Sequence, residues 1–232
     1  MALIKFGAGV VGMSGSIGGT TFARNRSGSY ARARTKPVNT NTSAQQLVRS
    51  VMAQLTTRWS QTLTAIQREA WNLYASNVIM TNRLGEAINL SGFNQYIRSN
   101  SNLLRAGFTV VDDGPTIFEL PEQDALMATV VTESNQLVSV AFDDTLTWVD
   151  EDDAHMLIFT GNPQNPTRNF FAGPWGYVGS IDGDATTAPT TPQTFTTNKV
   201  VAEGQKMWTY GRIVRADGRL SNPFRHDVLV SA

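Results

Sequence analysis

No aspartate or glutamate occurs before Glu69, while the same stretch carries Lys5, Arg24, Arg26, Arg32, Arg34, Lys36, Arg49, Arg58 and Arg68. The formal net charge of zero therefore hides a leading segment of +9 and a remainder in which 10 Lys/Arg face all 19 acids, for −9. Chains divided this way carry a basic segment suited to an acidic surface, either a protein or a nucleic acid, and permit head-to-tail association of identical copies.

Glycine sharpens the constraint. Gly7, Gly9, Gly12, Gly15, Gly18, Gly19 and Gly28 punctuate residues 1–42. Between them lie short β-type pieces at Leu3–Phe6, Thr20–Arg24 and Tyr30–Arg34. Glycine costs backbone entropy to order and offers nothing to pack. The segment is expected to be an extended arm or loose hairpin with no core of its own, ordering against a partner. Alternation places Arg24 with Arg26, and Arg32 with Arg34, along one face of an extended strand. Lys36-Pro37 ends the run and 39–42 is a polar linker.

Helical signals follow. Ser43 with Gln46 and Thr64 with Gln67 have capping-box spacing. Leu47, Val48, Val51, Met52, Leu55 and Trp59 form one apolar stripe; Ile66, Ala70, Leu73 and Tyr74 form another, with Trp71 at its edge. A third helix is expected from Gly92 to Arg105, capped by Ser91, carrying Phe93, Tyr96, Ile97 and Leu104, and stopped at Gly107. Beyond residue 110 the character changes to seven short β-rich runs: Met127–Thr132, Gln136–Phe142, His155–Thr160, Trp175–Ile181, Phe195–Val201, Lys206–Arg215 and Phe224–Val230. That count predicts an immunoglobulin- or fibronectin-like antiparallel sandwich, and the missing Cys…Trp…Cys signature argues against a true antibody-type domain. The expected fold class is α+β: an arm over 1–42, two to three helices over 43–110 and a β-sandwich over 111–232.

A chain of 232 residues with 41% hydrophobic and 16% charged content can bury a real core. It has no cysteine, so disulfides and thiolate metal sites are excluded. Its opening apolar run is too short for a signal peptide, and no stretch is long enough for a membrane span. Chemistry-bearing motifs are thin. Gly7-Ala8-Gly9-Val10-Val11-Gly12 matches the dinucleotide fingerprint in letters, but a glycine-rich run follows where a helix is required, and no acid appears at the ribose position. Asp150-Glu151-Asp152-Asp153, near Asp143-Asp144, lacks the alternating ligands of a calcium loop and reads as a solvated turn. His155 and His226 sit in or beside strands, with no partner of the kind a zinc site or triad needs. The chain is therefore expected to be non-enzymatic, with no cofactor, no metal and no small-molecule substrate. The long segment Gly161–Gly173, with adjacent Phe170 and Phe171, reads as either an interface element or simple loop packing. The partner-binding candidates are Arg24, Arg26, Tyr30, Arg32, Arg34 and Lys36. Four arginines beside a neutral total make a weak footprint for nucleic acid, and an acidic protein surface is the favoured target.

The wording of several stretches resembles an uncharacterised family encoded by tailed phages and prophages. These are Gly18-Gly19-Thr20-Thr21-Phe22-Ala23-Arg24-Asn25-Arg26, Tyr30-Ala31-Arg32-Ala33-Arg34-Thr35-Lys36-Pro37-Val38-Asn39, Gly92-Phe93-Asn94-Gln95-Tyr96, Gly161-Asn162-Pro163-Gln164-Asn165-Pro166-Thr167, and Arg212-Ile213-Val214-Arg215-Ala216-Asp217-Gly218-Arg219-Leu220-Ser221. The resemblance covers nearly the whole chain and implies a virion structural setting, with assembly in the bacterial host cytoplasm. Together with the arm, it leads to the expectation of a capsid decoration (cement) protein on the major capsid protein or other virion proteins, associating into homo-oligomers. A tail or neck component and a nucleic-acid-binding protein are the alternatives.

Overall fold

The computed structural model describes residues 2–25 and 28–232. Of the extended arm and the loose hairpin expected from its glycines, the leading segment takes the hairpin form, extended to four strands. Strands β1 (Ala2–Ile4), β2 (Gly15–Ile17), β3 (Thr20–Asn25) and β4 (Gly28–Ala33) form an antiparallel sheet in the order β1-β4-β3-β2. The glycines are the reason. Gly18 and Gly19 lie at φ 53° and 81° between β2 and β3, the paired left-handed positions a two-residue hairpin turn demands. The expected lack of a core holds, because none of the described side chains in this sheet is buried.

Three helices follow the linker. Helix α1 (Ser43–Thr57) starts one residue earlier in its cap than the spacing suggested. Thr42, not Ser43, is the N-cap: its hydroxyl accepts from the Gln45 backbone N–H and the Gln45 side chain accepts from the Thr42 N–H, each at 3.3 Å. The adjacent Thr-Ser and Gln-Gln pairs satisfy the same motif in either register, and the extended backbone at Thr42 selects the first. The helix runs into a π turn over Arg58–Thr62. Helix α2 (Ala65–Asn77) carries the expected Thr64–Gln67 box. Helix α3 (Gly92–Ala106) is capped by Ser91 and ends at Gly107, φ 93°. A small hairpin, β5 (Ile79–Thr81) and β6 (Ala87–Asn89), joins α2 to α3.

The buried faces differ from the apolar stripes. In α2 it is Trp71, with Tyr74 and Ala75, that is buried, while Ile66 and Leu73 are exposed. The indole packs edge-on against Tyr74 and Tyr96 and donates its N–H to the Asp112 carbonyl at 2.9 Å, so one large ring with a partnered polar tip outweighs two aliphatic side chains. In α1, Val51 and Leu55 are buried but Leu47 and Val48 stay exposed.

The C-terminal part is a sandwich of β7 (Ala128–Thr132), β8 (Leu137–Ala141), β9 (His155–Gly161), β10 (Trp175–Asp182), β11 (Gln193–Thr196), β12 (Lys206–Val214) and β13 (Phe224–Leu229). One sheet runs β11-β8-β7 and the other β10-β9-β12-β13, all antiparallel. The fourth strand joins the β9 sheet rather than the β7–β8 sheet, which is the fibronectin-like rather than the immunoglobulin constant-type arrangement. The fold class is α+β with a fibronectin-like sandwich. Strand β11 ends at Thr196, short of the expected Val201. Beyond it the Thr197 hydroxyl donates to the Lys199 carbonyl in a turn, and Val200 is exposed. Met156, Ile158, Ile213, Val138, Val140 and Trp148 lie in the core between the sheets.

Because side chains alternate along a strand, β9 and β12 also present an outward row. Leu157, Phe159 and Val214 of that row join Leu220 and Leu103 of α3 in a second apolar cluster. Helices and sandwich thus share a seam. Leu103→Ala is expected to cost about 2–5 kcal/mol and to lower far-UV CD and tryptophan-fluorescence midpoints together in urea. Separate transitions for the two probes would show that the seam does not couple the units.

Candidate partner-binding surface

The register of the leading sheet divides the cationic cluster. Arg24 pairs with Ser29 and Phe22 with Ala31, whereas Ala23 pairs with Tyr30 and Thr21 with Arg32. Cross-strand partners share a face, so Phe22 and Arg24 lie on one side of the sheet and Tyr30 and Arg32 on the other. Continued alternation puts Arg34 on the Tyr30 side, where its backbone N–H donates to the Gly19 carbonyl at 2.7 Å. The single arginine face expected from alternation within each strand is corrected to two faces, since alternation does not specify how hairpin strands register. Arg26 lies outside the described residues. Lys36 is exposed in the linker. Arg24, Arg32, Arg34 and Lys36 have no carboxylate partner among the described residues. Lys5, by contrast, meets Glu86 beside the β5–β6 hairpin, and this contact with the support of Asn82 holds the Glu86 carboxyl below its usual range.

The dinucleotide-like glycines occupy an exposed loop between β1 and β2, followed by strand rather than helix. The acidic turn is structural where it is paired. Glu151 binds Arg215 and accepts the Ala216 N–H at 3.0 Å, and Asp152 accepts the Ala185 N–H at 2.9 Å. Among the described residues, no group of three or more His, Asp or Glu side chains is placed to hold a metal ion, and no helix is long and apolar enough to cross a membrane.

Both histidines sit in packed positions with defined partners. His155 Nδ1 lies 2.8 Å from Asp182 with its ring stacked 3.7 Å from Phe108. His226 Nδ1 lies 2.8 Å from the Thr129 hydroxyl and accepts the Thr129 N–H at 3.3 Å. These pairings cross between strands, or from the segment after α3 to the sandwich, which spacing along the chain cannot reveal. Thr129 is buried, so its hydroxyl links the sheets instead of facing a ligand.

Two grooves flank α1. One, about 530 Å³, lies between its π turn and α3, lined by Leu55, Arg58, Leu104 and Val110. At its rim Arg58 donates two bonds of 2.6 Å to Asp112, and this pairing raises the guanidinium's pKa. The other, about 460 Å³, lies between the start of α1 and the sandwich, lined by Leu47, Val48, Arg49, Arg105 and Trp175. Of the Gly161–Gly173 loop, Phe171 is buried on Trp175 and Trp208 and fits only because residue 161 lacks a Cβ, while Phe170 is exposed.

No family model and no curated protein matches the sequence. Among solved structures the chain is similar to a Fn3-like protein from Clostridium thermocellum (13% identity, TM-score 0.32, covering 49% of this chain and 97% of that one). It is also similar to the fn3 domain of human collagen alpha-1(XX) chain (13%, TM-score 0.32, covering 51% and 93%). A family 76 glycoside hydrolase from a bovine Bacteroides thetaiotaomicron strain shares 15% identity at TM-score 0.33, and the match spans 47% of this chain but 20% of the hydrolase.

If the Thr129–His226 pair is structural, His226→Ala should leave the buried Thr129 N–H unsatisfied, while the hydroxyl keeps Thr209 at 3.2 Å, and cost about 1–3 kcal/mol. Urea denaturation reads this as a lowered midpoint at unchanged slope. An unchanged midpoint would remove the pair from the structural account.

Proposed function

We propose that this chain is a non-enzymatic structural protein of a tailed-phage particle, a capsid decoration (cement) protein seated on the major capsid lattice through residues 1–42. One observation carries the reading. The leading segment is acid-free, leaves Arg24, Arg32, Arg34 and Lys36 without carboxylates among the described residues, and its sheet buries none of its described side chains. Such a sheet gains a core by packing on another surface, and its charge selects an acidic one. The mechanism is mechanical: binding free energy released on the assembled shell, with no bond made or broken. The phage setting rests on the resemblance in sequence, and copy number per particle distinguishes a shell position from a tail or neck ring.

The test is binding of the full-length chain to particles of the encoding phage that lack it. Arg24→Glu/Arg32→Glu/Arg34→Glu reverses both faces at exposed positions and should weaken binding at least about tenfold while leaving the CD spectrum unchanged. Undiminished binding by the triple variant would overturn the proposal. Binding to a DNA duplex that falls steeply with salt, with none to particles, would favour nucleic acid instead.

A further inference from the structure

The uncovered start of α1 has a counterpart elsewhere on the same molecule. Leu47 is 50% and Val48 43% exposed, and both line the 460 Å³ groove whose other wall is Trp175 and Arg105. Arg105 Nε is buried without a hydrogen-bond partner. Among the described residues, Arg49 at the rim is held only by the side-chain carbonyls of Asn39 and Asn41, at 2.8 and 3.4 Å. The groove is therefore apolar at its floor and cationic at its rim. It suits a segment with apolar side chains beside carboxylates.

The connector from helices to sandwich has that composition. Between buried Pro115 and buried Pro121, Ile117 and Phe118 are 48% and 40% exposed, and Glu119, with Glu122 just beyond Pro121, is exposed without a cation partner among the described residues. Gly114 packs so closely on Ala70 that a Cβ would sit 2.6 Å from its backbone, so this end of the connector is pinned in place. The knob is presented in advance rather than ordered on binding, which lowers the entropic cost of association. No residue of 116–122 lines the groove within one copy.

We infer that the groove of one copy receives the Ile117-Phe118-Glu119 knob of a second copy, giving a head-to-tail contact. An isolated base would have little to stack on here, because Trp175 already has Phe171 and Tyr210 in T-shaped contact with it and Arg225 over its face. A contact between two different surfaces closes into a ring or extends into a filament. It is separate from the leading sheet and does not depend on what that sheet binds.

Sedimentation velocity on the full-length chain tests it. Wild type should associate with concentration, and less so at high salt. Leu47→Asp and Phe118→Asp, both at exposed positions, should each weaken association by about tenfold or more. Mixed together, the two variants should form a species of two copies and nothing larger, because each keeps one intact surface. The Arg24→Glu/Arg32→Glu/Arg34→Glu variant should associate like wild type, so failure here and failure of the particle-binding reading are distinguishable. A wild type that stays monomeric at its solubility limit, variants that associate undiminished, or a mixture that assembles beyond two copies would overturn the contact.

Discussion

The outward row of the four-stranded sheet sets the position of everything N-terminal to it. Leu157, Phe159 and Val214 point away from the sandwich core, and leaving such a row in water would forfeit roughly 25 cal/mol for each Å² of apolar surface. Helix α3 covers it with Leu103, while its opposite side meets α1 and α2 around Tyr96. One helix is therefore sandwiched between two apolar clusters, and the helices cannot shift over the sandwich without opening both. That fixes where α1 begins, and hence where the linker and the leading sheet project.

Polar groups lock the same seam. Arg98 of α3 donates to the Leu220 and Ser221 carbonyls at 2.6 and 2.9 Å. Burial, with Arg212 nearby, lowers its pKa to about 10. It is a desolvated cation held by carbonyl oxygens, a geometry that gives direction to the contact more than net stability. Asn100 clasps Val111 through both its amide groups, at 2.8 and 3.0 Å, and Asp112 receives Arg58, Trp71 and Tyr96. Residues 111–112, at the junction of the two units, are thus stitched to all three helices. Of the nine cations ahead of Glu69, Lys5 and Arg58 reach carboxylates from the acidic remainder. The charge division along the chain largely survives folding.

Local rules recovered the local features. Caps at Thr64 and Ser91, the stop at Gly107 and most strand limits depend on neighbours within a few residues, and pattern alone places them. What escaped depends on distant partners. Trp71 is buried because Tyr96 and Asp112 stand opposite it, and Leu47 is exposed because nothing does. The histidine pairs join residues 27 and 97 positions apart. The glycines of the leading segment left an extended arm and a loose hairpin both open, since the same φ > 0 preference serves both. The groove beside Trp175 has no signature in the sequence, because Trp175 lies more than 120 residues from Leu47 and Val48.

The division of the leading sheet into two faces bears on how it could be held. Each face carries a ring and a guanidinium, Phe22 with Arg24 on one and Tyr30 with Arg32 on the other. A sheet laid flat on a partner would cover one such pair and leave the other in water. A four-stranded sheet with no core of its own gains most when both faces are covered. The proposed attachment is thus better served by a cleft between two acidic subunits than by a single flat surface. A site made at a junction exists only once the subunits have assembled, and a protein that recognises such a site distinguishes an assembly from its free components.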